Sequence, residues 1–129
     1  MSRPRVMPCY RSLHKDVREI RLMTIEDWEN GSSHIACQLH HFELAHAPEY
    51  EALSYCWGDA SITQEILVDG DPFLATTNLY AALKQIAERA KSKFLWIDAI
   101  CINQSSIEEK NYQVPLMNAL YSQAQRVLV

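Results

Sequence analysis

The chain has 129 residues, 48% of them apolar, with 3 glycines and a formal charge of −4. A chain of this length buries roughly two-thirds of its unfolded surface, so a single globular domain with its own core is expected and disorder is excluded. Acidic and basic residues are spread along it, which excludes a nucleic-acid face built from clustered positive charge.

Residues 1–17 carry Pro4 and Pro8 and read as an irregular leader. Arg3, Arg5, Arg11, Lys15, Arg18 and Arg21 give this end a basic bias. No apolar stretch follows it, so it is not a secretory signal. Nor does any run approach the ~18 apolar residues of a membrane span. The expectation is a soluble, cytoplasmic protein that touches neither membrane nor nucleic acid. Cys9, Cys37, Cys56 and Cys101 are widely spaced without a C-x-x-C pair, so reduced thiols are expected.

EIRLMTI (19–25) alternates weakly and predicts a strand. HIACQLHHFEL (34–44), with Ile35, Cys37 and Leu39 on one face, predicts its antiparallel partner across a loop holding Asn30-Gly31. YEALSYCW (50–57) is almost continuously apolar, the profile of a central strand covered on both faces. In QEILVDGDPFLA (64–75), Asp69-Gly70 suits the positive φ angles of a type I′ hairpin turn, and Pro72 places its strand at an edge. Thr77 or Asn78 is expected to cap a helix running to about Lys91, with Leu79, Leu83, Ile86 and Ala90 as its apolar stripe.

A strand over 94–100 follows, then a helix from about Ser105. Ser105 with Glu108, or Ser106 with Glu109, fits a capping box. Its predicted stripe is Val114, Met117, Tyr121 and Ala124, and Pro115 inside it predicts a kink or two shorter helices. RVLV (126–129) starts another buried strand. The order of elements predicts an α/β fold, a largely parallel central sheet flanked by helices, with an N-terminal antiparallel hairpin and a small Asp-Gly hairpin insertion.

The stretch FLWIDAICINQ (94–104) turns from core strand to an acid, a thiol and two amides. In an open α/β sheet the carboxyl ends of the strands carry the ligand-binding loops. One reading is therefore a rim of Trp57, Gly58, Asp59, Asp98, Asn103 and Gln104 that meets a ligand or partner. The other is that Asp98 and Asn103 bond nearby backbone N–H groups and hold the next helix start. Cys101 as a nucleophile has no cation beside it in the sequence, and an inert core thiol is the simpler reading. His40 and His41 point to opposite strand faces, and with His34 and His46 they make no zinc spacing, so no metal site is expected. Isolated Gly31, Gly58 and Gly70 make no phosphate loop.

YEALSYCWGD (50–59), TTNLYAAL (76–83), LWIDAICINQ (95–104) and EEKNYQVPLMNALYSQAQRVLV (108–129) resemble, in order and spacing, the core blocks of the fungal heterokaryon-incompatibility (HET) domain. The similarity covers residues 18–129, as the N-terminal portion of a domain truncated at its C-terminal end. One departure is Lys110, where the family more often carries Arg beside its Glu. The resemblance implies a role in self/non-self discrimination and programmed cell death, through protein partners or self-association of the domain. The family is distantly similar to TIR domains, some of which hydrolyse NAD with a glutamate on the helix after the third strand. Glu108 and Glu109 lie one helix too early for that role, so no catalytic residue is carried over. An NAD-cleaving or nucleotide-binding activity would require chain beyond residue 129.

Overall fold

The computed structural model describes residues 10–27, 35–53, 63–89 and 94–128. In chain order the strands are β1 (Glu19–Asp27), β2 (Ala36–Glu43), β3 (Tyr50–Leu53), β4 (Thr63–Val68), β5 (Asp71–Thr76), β6 (Phe94–Ile97) and β7 (Arg126–Leu128). The α-helices are α1 (Thr77–Arg89), α2 (Asp98–Cys101), α3 (Ile107–Gln113) and α4 (Met117–Gln123). The chain divides into two compact units. One comprises Met1–Cys9, Thr24–Gln38 and Cys56–Ser92, and the other Tyr10–Met23, Leu39–Tyr55 and Lys93–Val129. The fold is α/β, as expected, but the strand pairing is mixed rather than largely parallel.

In the first unit β4 and β5 form an antiparallel hairpin, with Thr63 opposite Thr76 and Val68 opposite Asp71. Asp69 and Gly70 have φ of 52° and 82°, the two positive values a type I′ turn requires. Pro72 sits opposite Leu67 on β5, which ends the strand order β5-β4-β2 and so tolerates the missing donor. The other side of β4 pairs with β2 in parallel through Ala36–Leu67 and Cys37–Val68. Helix α1 starts one residue earlier than expected, because Thr76 Oγ1 accepts the Leu79 N–H at 3.2 Å. Leu79 and Leu83 are buried as predicted, and Ala87, rather than Ile86, continues their face.

In the second unit the strand order is β2-β1-β6-β3-β7. Leu44 N–H donates to Arg18 O at 3.0 Å, so the chain closes the β1–β2 hairpin where β2 ends and β1 begins. β1 then lies antiparallel to β6, Met23 opposite Leu95, while β3 pairs with both β6 and β7 in parallel. The expected parallel core is real for β6-β3-β7. Within this unit the antiparallel β1–β6 pair makes the strand pairing mixed. All four residues of β3 are buried, as a central strand demands. Tyr50, at its head, donates its hydroxyl to Leu120 O on α4 and accepts the Gln125 N–H on its carbonyl at 2.8 Å.

Three expectations change here. The strand predicted over 94–100 stops at Ile97, and Asp98–Cys101 form one helical turn. The Cys101 thiol helps close that turn, accepting the Ile97 N–H at 3.5 Å. Second, the segment expected as a buried strand exposes both Arg126 and Val127, the latter to 41%. Third, the buried face of α3 and α4 is Glu109, Gln113 and Leu120, whereas Val114 of the predicted stripe is 54% exposed. Two of those three are polar side chains, which a search for apolar periodicity passes over. Pro115 acts as predicted, in a 3-10 turn (Val114–Leu116) that separates the two short helices. Among the described residues no helix is long and apolar enough to cross a membrane.

Candidate functional site

In the second unit, β3 and β6 run parallel and in register, Leu53 opposite Ile97, so their carboxyl ends are level. That is the geometry the rim hypothesis needs. Trp57, Gly58 and Asp59 lie outside the described residues. The remaining rim residues divide. Gln104 Nε2 donates to the Asp98 carbonyl at 2.8 Å, holding the loop 102–106 against the α2 turn. Asn103 Oδ1 accepts both the Ser105 N–H at 3.2 Å and its hydroxyl at 2.7 Å, an Asx turn of the kind local chemistry favours. The cap of α3 is Ser106, not Ser105: its Oγ accepts the Glu109 N–H at 3.1 Å. Glu109, not Glu108, is its box partner, yet the Glu109 carboxylate does not return to the cap.

That carboxylate is committed elsewhere. Arg21 Nη1 donates to Glu109 Oε2 at 2.7 Å and Nη2 to Oε1 at 2.8 Å, a bidentate pair with Arg21 fully buried. Asn103 N–H donates to the same Oε2 at 2.6 Å. Arg21 continues to the Cys101 carbonyl at 3.1 Å and the Arg11 carbonyl at 2.7 Å. The Tyr10 ring lies 4.6 Å from the guanidinium carbon, within cation–π range, and its hydroxyl donates to Ile100 O at 2.6 Å. One guanidinium therefore ties β1, the segment before it, the α2 turn and α3 together.

Beside this pair opens a cavity of about 210 Å³ lined by Tyr10, Ser12, Leu13, Arg21, Asn103, Ser106, Glu108, Glu109 and Tyr112. Tyr112 donates its hydroxyl to Leu13 O at 3.2 Å. Burial, then the neighbouring Glu109 carboxylate, pushes its phenol above the ordinary value. Nearby, Gln113 Nε2 donates to Glu19 O at 3.0 Å, and the Glu19 carboxylate lies 3.4 Å from His41 Nδ1. Burial, then the Arg11 charge, pulls His41 below its ordinary range, so the ring is neutral near pH 7.

Of the residues singled out in the sequence, only Asn103 and Glu108, with the alternative cap pair Ser106 and Glu109, reach this cavity. Asp98 and Gln104 do not line it. Arg21, Tyr10 and Tyr112 were missed. The available signal was Arg21 itself, an arginine between Ile20 and Leu22 in a strand whose neighbours are all core residues. Cys101 is fully buried, and burial raises its thiol to about 12, so it is an unreactive core residue. Among the described residues no three of His, Cys, Asp and Glu gather as a metal-ligand set.

The family model described as "Heterokaryon incompatibility protein (HET)" matches residues 50–129, more than half of the chain. Over 123 residues the chain is 37% identical to heterokaryon incompatibility protein 6, OR allele, of Neurospora crassa, covering 85% of this chain and 18% of that protein. It thus spans less than a fifth of that relative's length. No solved structure matches the chain. On these two matches the chain belongs to the heterokaryon incompatibility (HET) family.

Proposed function

We propose that this HET domain is a cytoplasmic signalling module of fungal vegetative incompatibility, which contributes to cell death after fusion of unlike cells by associating with protein partners or with itself. The observation that carries the reading is the 37% identity, over most of the chain, to a Neurospora heterokaryon incompatibility protein. The fold supports it in one respect. Among the described residues, Gln104 and Asn103, which follow the carboxyl end of β6, bond to nearby backbone and to Ser105, as in a braced contact surface. Asn103 and Gln104 would present that surface, together with Asp98 and the Trp57-Gly58-Asp59 segment.

The test is inducible expression in a filamentous fungus of the protein that carries this domain. Growth arrest and loss of viability are expected on induction. Trp57→Ala, Asp98→Ala and Asn103→Ala should each restore growth in cells where the variant accumulates to the parental level. Normal growth with abundant parental protein would overturn the reading. Full killing by all three variants would remove the rim from it.

A further inference from the structure

We propose that the outer face of α3 and α4, centred on Val114, is the surface through which two copies of this chain associate. This rests on the association reading above and specifies both the partner and the place of contact.

The second unit buries one side of these helices, through Glu109, Gln113 and Leu120. A different row, Ile107, Asn111, Val114 and Asn118, advances by four, three and four residues, and all four side chains are exposed. Ile107 is 75% exposed and Val114 54%, the two highest values for a large apolar side chain among the described residues. The 3-10 turn Val114–Leu116 interrupts the helical phase, yet Asn118 beyond it is exposed as Asn111 is before it. Steps of four and three keep side chains on one side of a helix, and they are the steps with which one helix seats against another. A single exposed apolar residue is ordinary; two of them one heptad apart, alternating with amides, make a contact row.

Charge selects the occupant. Residues 111–125 contain no Asp, Glu, Lys or Arg, the longest such stretch in a chain that is 22% charged. A partner recognised by its charge has nothing to hold there. In a two-fold contact, by contrast, each group near the axis meets its own copy, so a charge at that place would repel itself. This face meets that condition, in a chain whose formal charge of −4 sets two copies against each other elsewhere. Asn111 and Asn118 add a positive reason. An amide carries donors and acceptors together and can pair with another amide, whereas a carboxylate or an ammonium cannot pair with its like. Neither side-chain amide makes a hydrogen bond among the described residues. An axis beside Val114 sets the two valines together, with an amide one turn to either side. From Ile107 to Asn118 the row runs about 16 Å at the helical rise. Such a row buries less than the roughly 800 Å² per partner of a lasting interface, so the association is weak and depends on concentration.

The test is sedimentation equilibrium of the whole chain over a dilution series, for the parent, Val114→Glu, Val114→Lys and an equal mixture of the two variants. The parental mass is expected to climb from monomer toward dimer as concentration rises. Each variant alone sets like charges together and should stay monomeric, and the mixture should recover the dimer because Glu then faces Lys. Val114 is exposed, so both variants should keep the parental far-UV spectrum. Leu74→Glu changes an exposed apolar residue of the other unit and should associate as the parent does. A parent that is monomeric throughout, single variants that associate like it, a mixture that stays monomeric, or loss of association in Leu74→Glu would each overturn the proposal. Placing Val114→Glu in the fungal assay separates the two claims. A monomeric parental chain whose protein kills only while Val114 is intact would give the face to a different protein and overturn the second copy, leaving the incompatibility role standing. A chain that dimerises as described, in a protein that never kills, would do the reverse.

Discussion

Arg21 and Glu109 stand 88 positions apart in the chain and meet fork to fork, with two N–H···O contacts of 2.7 and 2.8 Å and almost no exposure on either side. A pair of this kind contributes little net stability when formed, because both charges have left water. Removing one partner is another matter, since it strands the other charge in the interior. Arg21→Met or Glu109→Leu alone should each cost about 3–5 kcal/mol in urea unfolding. The double variant Arg21→Met/Glu109→Leu should lose less than either single change. Simple addition of the two losses would show that the residues do not act as a pair.

The start of α3 offers a sharper discrimination between neighbours. Ser106→Ala removes the oxygen that accepts the Glu109 N–H and should lower stability by about 1 kcal/mol. Ser105→Ala removes an exposed hydroxyl whose partner, Asn103 Oδ1, keeps the Ser105 N–H, so its effect should stay within about 0.5 kcal/mol. Parallel thermal melts of the two variants decide the matter. A larger loss for Ser105→Ala would move the cap.

Alkaline pH should destabilise the fold through two buried groups. Burial raises Cys101 from 9.0 to about 12 and Tyr50 from 10.0 to about 12. Each folded-state value lies above its unfolded one, so each contribution is complete below the unfolded value. It is lost as the pH climbs through that value toward 12. Unfolding free energy should therefore fall from about pH 9 upward, and Cys101→Ala should flatten the first part of the decline. The same burial predicts that Cys101 resists alkylation near neutral pH until the protein is unfolded. Rapid labelling of the native chain would contradict it.

Local chemistry was legible in the sequence. Asp69-Gly70 implied its turn because both residues must take positive φ, and Pro115 implied the break between α3 and α4 because it cannot donate within a helix. The Asx bonding of Asn103 followed in the same way. What stayed hidden depended on residues far apart. β1 reads as one half of a hairpin, and nothing within EIRLMTI says that its other edge will pair antiparallel with β6. Nor can periodicity announce a helix face made of Glu109 and Gln113, whose burial is tolerable only because Arg21 and the Glu19 carbonyl arrive from elsewhere. The cavity was illegible for the same reason, since Tyr10, Arg21 and Tyr112 come from three separate stretches.

Tyr50 grips both ends of the link Ala124-Gln125, the helix side through its hydroxyl and the strand side through its carbonyl. The same residue therefore fastens the end of α4 and the start of β7 to the head of β3, and losing the Tyr50 hydroxyl would free the helix side of this corner while the strand side stays held by backbone.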